Sequence, residues 1–186
     1  MLTFNKRKTL LNSFVQSQFS FAPLVWMLCG KVANKKINKV HYKFLKTLYD
    51  DNTSTFEQLL NKYDAFTVHQ RNIQNLLIEM FKVKTNQGPA LLNEIFKSQN
   101  YIGPTLRRSK DFLRPNVRTQ KYGEKSLESM GNVMWNLLPN EIKDVKTLEE
   151  FKSKIRIWKP DKCPCYLCKD FLAGVGIIEI CDCQNC

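Results

Sequence analysis

The sequence has few of the features that mark disordered, fibrous or membrane-spanning chains. Only 7 of its 186 residues are glycine and 7 are proline, which excludes collagen-like and low-complexity classes. No apolar run approaches the ~20 residues of a membrane-spanning helix. Polar residues interrupt the segment after Lys6, Arg7 and Lys8 before a signal-peptide core can form. We therefore expect an intracellular protein, cytoplasmic or nuclear, with no membrane as partner.

Arrangements of residues that carry catalysis are also scarce. The two histidines, His41 and His69, lie on apolar helical faces, where packing is the expected role. There is no glycine-rich phosphate loop, no paired-carboxylate constellation of the kind used in catalysis and no Ser-His-Asp pattern. Asp50 and Asp51 resemble half of a polymerase signature, but a two-metal site also needs an aspartate from a neighbouring strand. We interpret both as turn residues, assign no catalytic residue, and do not expect an enzyme from this chain alone.

Acidic residues are outnumbered. The chain has 17 Asp and Glu against 29 Lys and Arg, which gives a net charge of +12. Such an excess favours a polyanion as partner, either nucleic acid or an anionic membrane surface. The hydrophobic share of 43% is enough to build a folded core.

Apolar periodicity predicts a mostly α fold: a helical bundle with a short irregular or β-hairpin insertion and a cysteine-rich tail. The expected segments are a helical region at 1–100, a basic irregular or β segment at 101–123, a second helical region at 124–160, and the tail at 161–186. The apolar blocks between Thr9 and Cys29 are expected to be core. Ser54 and Glu57 have the spacing of a capping box, which would start a helix.

The most regular helical pattern covers 34–49. Its predicted inner face is Ile37, Val40, Phe44, Leu45 and Leu48. On the opposite side, four lysines are spaced three and four residues apart, which aligns them along one edge of a helix. We call Lys36, Lys39, Lys43 and Lys46 the lysine row. No carboxylate stands three or four residues away within the helix. The row is either a solvated face or a line of cations that follows a phosphate backbone.

A second basic stretch lies between Tyr101 and Gly123, where apolar periodicity is lost. Only Asp111 opposes its cations, which are Arg107, Arg108, Lys110, Arg114, Arg118 and Lys121. Tyr101, Phe112 and Tyr122 alternate with these charges. Such aromatic side chains either stack on unpaired bases or anchor a loop to the core. Both basic sets are candidate contacts to RNA or DNA.

The tail contains two C-x-C-x-x-C triplets separated by twelve residues. They are Cys163, Cys165 and Cys168, then Cys181, Cys183 and Cys186. In a reducing compartment such thiols favour zinc, held by four cysteines from both triplets or in a two-metal cluster. Zinc is thus the predicted cofactor. Free thiols are the alternative, since C-x-C is tighter than the usual C-x-x-C of zinc sites.

Several short sequence motifs follow one another in a particular order between about Lys6 and Ile178. They are Ser17–Phe19, Pro23–Met27, Lys36–His41, Ser54–Leu60, Asn72–Gln74, Asn93–Phe96, Trp135–Pro139, Trp158–Pro160 and Cys163–Cys168. Each is short, but their order resembles the region that follows the polymerase domain in LINE-like, non-LTR retrotransposon reverse transcriptases. Three features depart from that family: Asn132 stands where proline is usual, Cys29 and Gly30 replace more polar residues, and the second cysteine triplet lies beyond the usual end, which puts a six-cysteine site in doubt.

The resemblance implies a place after the fingers and palm of an RNA-directed DNA polymerase, with 1–100 as a thumb-like region. A thumb grips the primer-template duplex through its backbone, a role that would fall to the lysine row, with the stretch from Arg107 to Lys121 as a second contact. The upstream polymerase domain would be a partner. The alternatives are a structural module that packs on the polymerase core, or an inactive fragment of a decayed element in which Met1 is an internal methionine.

Overall fold

The computed structural model describes residues 2–27, 29–97, 112, 118–119, 123 and 126–159. These residues are mostly helical, as predicted, and contain no extended strand. The hairpin expected within 101–123 and the tail at 161–186 lie almost wholly outside them. The helices are α1 (Phe4–Leu11), α2 (Ser17–Ser20), α3 (Pro23–Trp26), α4 (Lys31–Tyr49), α5 (Phe56–Lys62), α6 (Val68–Lys84), α7 (Ala90–Ile95), α8 (Leu127–Asn136), α9 (Asn140–Lys143) and α10 (Leu148–Ile157).

The described residues form two compact units, and the division falls inside α6, between Asn72 and Ile73. In the first unit, α1 and α2 are joined by a π-helical turn over Asn12–Gln16 and run antiparallel to α4. Phe4 stacks on Tyr49, with ring centroids 6.0 Å apart. Phe19 meets the edge of His41 at 5.9 Å. The core between α4 and α5 consists of Phe44, Leu45, Leu48, Phe56, Leu59 and Leu60.

The prediction that the apolar blocks between Thr9 and Cys29 are core is wrong for four of their large side chains, including Leu10, which is 44% exposed. Phe14 is 72% exposed, Phe21 is 76% exposed and Val25 is 84% exposed. Leu11 and Val15 pack against the core of the first unit, but their neighbours point about 100° further around the helix. The apolar surface of these N-terminal helices is therefore wider than α4 and α5 cover.

The predicted capping box is displaced by one residue. The amide of Gln58 donates to the hydroxyl of Thr55, and the Gln58 side chain accepts from the Thr55 amide. Ser54 instead donates its hydroxyl to Asp51 at 2.9 Å, and Thr55 is the residue that directly precedes the first turn of α5. An equivalent box of Thr67 and Gln70 precedes α6. Because each box satisfies amides that helices leave without partners, both helix starts are fixed.

An aromatic core holds the second unit together. Phe81 and Phe151 stack with ring centroids 4.3 Å apart, and Trp135 lies 6.0 Å from Phe151. A Cβ added at Gly131 would clash with the Phe96 ring and lie 3.2 Å from the Met80 sulfur, so the close approach of these side chains to α8 requires glycine.

Candidate nucleic-acid interface

Helix α4 carries the lysine row and has an unusual composition. Its 19 residues include six lysines and no aspartate or glutamate. It begins after Gly30, and it ends where Asp50 adopts the left-handed conformation with φ of 58°. Lys36, Lys39 and Lys43 are exposed, and Lys46 is half-buried. Lys35, which is not a member of the lysine row, is exposed as well.

The inner face of α4 differs from the predicted one. Phe44, Leu45 and Leu48 are buried as expected, but Val40 is 50% exposed. Towards the start of the helix, the buried side chains are polar: Asn34, Asn38 and His41. These six residues share one side of the helix, and the lysine row lies on the opposite side. The row therefore faces away from the first unit's core.

No described carboxylate neutralises the lysine row. The ion pairs between described residues lie elsewhere, at Arg7–Asp50, Lys62–Asp51, Lys82–Glu79 and Lys154–Glu150. Four positive charges thus lie along about 15 Å of helix, given a rise of 1.5 Å per residue. Lysine ammonium groups in this arrangement attract the evenly spaced negative charges of a nucleic-acid backbone.

His41 contributes packing rather than charge. It is buried among the rings of Phe19, Phe44 and Phe56. Burial, with a smaller effect from the positive charge of Arg71, lowers the pKa of His41 from 6.5 to about 4. The neutral ring is therefore the native form at neutral pH. Any stability that depends on this neutral form is present above pH 6.5 and is lost as the pH falls towards 4.

Asp50 and Asp51 lie in the turn between α4 and α5, where the sequence analysis placed them. Asp50 pairs with Arg7 at 3.0 Å. Asp51 accepts five hydrogen bonds, from Lys62, from the amides of Thr53 and Ser54, and from both their hydroxyls. These bonds, the one from Lys62 above all, hold the pKa of Asp51 well below its usual range. Both carboxylates thus have structural roles.

Most of the second basic stretch lies outside the described residues. Of its six predicted cations, only Arg118 is described, and it is exposed. Phe112 is 3% exposed and meets the edge of Trp135 at 5.1 Å. It therefore anchors its segment to the core of the second unit and cannot stack on a base. Tyr101 and Tyr122 lie outside the described residues.

The predicted zinc ligands, Cys163 to Cys186, also lie outside the described residues. Within the described ranges, no three His, Cys, Asp or Glu side chains are placed to hold a metal ion together. Cys29 is the described cysteine. It is half-buried, and burial raises the pKa of its thiol, which favours the protonated form.

Tyr42 lies beside the lysine row and was not among the predicted contact residues. Its hydroxyl donates to the carbonyl of Ser54 at 2.8 Å. The ammonium nitrogen of Lys46 lies 4.4 Å from the centre of the Tyr42 ring. The signal in the sequence is spacing, because Tyr42 precedes Lys46 by four residues and therefore shares its side of the helix. Lys36, Lys39 and Lys43 have no aromatic residue at that spacing.

In the part of the chain that the structure describes, no helix combines the length and the apolarity needed to cross a membrane. Comparison with known proteins gave no family: no protein-family model, no curated protein sequence and no solved structure matches the chain.

Proposed function

We propose that this chain is the nucleic-acid-binding region downstream of the polymerase core in a LINE-like retrotransposon reverse transcriptase. It would act inside the cell, in the cytoplasm or the nucleus, and would leave catalysis to the upstream palm. The observation that carries the proposal is the lysine row of α4, which faces away from the core and has three of its four members exposed. The ordered sequence motifs support the family, and the net charge of +12 supports a polyanion as partner.

The chemistry of the lysine row suits backbone contacts rather than base recognition. Lysine is a flexible point charge, whereas bidentate reading of bases uses planar groups such as those of Arg, Asn and Gln. Contacts to phosphate fix position but carry little sequence information. We therefore propose binding to primer-template or target nucleic acid without strong sequence preference. Binding to RNA and DNA duplexes across a salt series, with and without the charges of the lysine row, tests the proposal.

A second candidate function is supported by the exposed apolar side chains of the first unit. Phe14, Phe21 and Val25 are each more than 70% exposed. Trp26 donates its indole N–H to the Phe21 carbonyl at 2.8 Å, and Ala22 adopts a left-handed conformation with φ of 44°. A turn held in this conformation presents Phe21 to the outside at a cost in backbone energy. The alternative proposal is a structural module that packs these side chains on the polymerase core.

This alternative predicts self-association of the isolated chain through the same side chains. Replacing Phe14 and Phe21 with serine should lower the weight-average mass in sedimentation equilibrium and leave nucleic-acid affinity unchanged. The control is Leu91→Ser, which alters an exposed leucine (66%) of the second unit. If the parent and the double variant have the same mass at every concentration, the exposed side chains do not act as a contact surface.

We propose zinc as the ligand of the cysteine tail, with Cys163, Cys165 and Cys168 contributing alongside the second triplet. Purified full-length chain kept under reducing conditions should contain about one zinc per chain by elemental analysis, or two for a two-metal cluster. Residues 1–160 should contain none. The cysteine tail is not a zinc site if the full-length chain contains no zinc.

Triplet variants show whether zinc is held by both cysteine triplets or by the first triplet alone. Serine at Cys163, Cys165 and Cys168 should abolish zinc binding, because it removes half of a shared site. Serine at Cys181, Cys183 and Cys186 should do the same if the site is shared. Retained zinc in the second variant would assign the metal to the first triplet, which belongs to the family pattern.

A further inference from the structure

We propose that Tyr42 is a positioning residue that holds the ammonium group of Lys46 in place for a phosphate. This inference rests on the proposed function. It identifies Lys46 as the member of the lysine row whose ammonium group is held in a fixed position. Lys46 is the half-buried member of the row. Its nitrogen lies 4.4 Å from the centre of the Tyr42 ring, a distance typical of a cation–π interaction.

The Tyr42 ring is itself held by contacts with α5 and with the turn that precedes it. Its hydroxyl donates to the Ser54 carbonyl in the turn before α5. Its ring and that of Phe56 of α5 form a T-shaped pair, with centroids 5.7 Å apart. Its side chain also packs against the core between α4 and α5. The ring therefore gives Lys46 a rigid support, whereas Lys36, Lys39 and Lys43 are exposed and have no such support.

A fixed ammonium group should bind a phosphate more tightly than a free one. A lysine side chain loses rotational freedom when it is immobilised by a partner, and that loss opposes binding. The Tyr42 ring has already restricted Lys46 in the free protein. The π face leaves the outer side of the ammonium group able to donate hydrogen bonds. We infer that phosphate contact at Lys46 sets the register of the backbone along the row.

A double-mutant cycle separates this positioning role from a merely structural one. Lys46→Gln should weaken binding to a DNA duplex about ten- to twenty-fivefold at 0.15 M salt, because it removes a phosphate contact, about fivefold, together with the gain from its positioning by Tyr42; the salt slope should fall by about 0.9. Tyr42→Leu should weaken it about two- to fivefold with the slope unchanged, because the charge remains. In the Lys46→Gln background, Tyr42→Leu should have no further effect. In the Lys43→Gln background, it should retain its full effect.

Tyr42→Phe is the conservative control, because it keeps the ring and removes the hydrogen bond to Ser54. Its affinity should stay within about twofold of the parent, since the ring supports the cation. Ring-current shifts supply a readout that does not depend on binding: the ε-protons of Lys46 should be shifted upfield in the parent and in Tyr42→Phe, but not in Tyr42→Leu. Circular dichroism of each variant confirms that α4 still forms.

The outcomes separate this inference from the proposed function. A parent that binds duplex, with equal losses for Tyr42→Leu in both lysine backgrounds, overturns the positioning role and leaves the proposed function standing. A parent without affinity for duplex RNA or DNA overturns both. Absence of the ring-current shift in the parent overturns the geometry on which the inference rests.

Discussion

Replacement of the lysine row with glutamine should weaken duplex binding on the order of 10³-fold at 0.15 M salt. The variant carries Lys36→Gln, Lys39→Gln, Lys43→Gln and Lys46→Gln. Four phosphate contacts make the affinity fall with about the 3.6th power of the salt concentration. If the contacts contribute nothing at 1 M salt, they strengthen binding about 10³-fold at 0.15 M salt, and the variant loses this contribution. Fluorescence anisotropy with a labelled duplex measures the change. Because the row faces away from the core, the variant should keep the parent's helical content.

A matched control removes the same number of charges elsewhere. Lys8, Lys97, Lys146 and Arg156 are exposed cations outside the lysine row. Their replacement with glutamine lowers the net charge from +12 to +8, as the row variant does, since each set removes four positive charges. The control should lose far less affinity than the row variant. Equal losses would mean that binding follows net charge alone, with no role for the arrangement on α4.

Trp135→Ala should destabilise the second unit by about 3–5 kcal/mol, the usual cost of emptying a buried aromatic site. Trp135 is 1% exposed. It contacts Phe112 at 5.1 Å and Phe151 at 6.0 Å between ring centroids, so its removal leaves a cavity bordered by other rings. Urea unfolding followed by circular dichroism gives the change in the free energy of unfolding.

The control for Trp135 is Ile157→Ala, because Ile157 is 79% exposed and belongs to the same unit. We expect a change below about 0.5 kcal/mol for this variant. If the two variants unfolded at the same urea concentration, Trp135 would not be a central core residue.

The sequence predicted α4 and the lysine row because both depend on local spacing. Positions three and four residues apart share a side of any α-helix, whatever the rest of the fold does. The turn at Asp50 and Asp51 was likewise predictable from local pattern. Ser54 and Thr55 are both residues that can cap a helix, and the choice of Thr55 depends on α5 beginning at Phe56, a boundary that the local pattern left uncertain by one residue.

The burial of particular apolar residues was not predictable in the same way. Phe14 and Leu11 are equally apolar, but Leu11 packs against the core of the first unit and Phe14 is exposed. The difference depends on which neighbours cover each side of the helix, and sequence periodicity does not specify those neighbours. Asn34, Asn38 and His41 are buried for the same reason. The polar half of the α4 inner face is thus a tertiary feature.

The candidate site likewise combines features that local spacing predicts with features that depend on tertiary contacts. The exposure of Lys36, Lys39 and Lys43 followed from helical spacing. The role of Phe112 as an anchor required its contacts with Trp135 and Phe96, because aromatic residues among cations are equally suited to stacking on bases. The support of Lys46 by Tyr42 required a distance between two side chains, although their spacing of four residues was visible in the sequence.

The most direct test of the central claim is the slope of log affinity against log salt for duplex DNA. The parent and the lysine-row variant would be titrated between 50 and 200 mM salt. Loss of four phosphate contacts should make the slope of the variant shallower by about 3.6, while the slope of the matched control stays close to that of the parent. Equal slopes for the parent and the row variant would contradict the claim that the lysine row of α4 contacts the phosphate backbone.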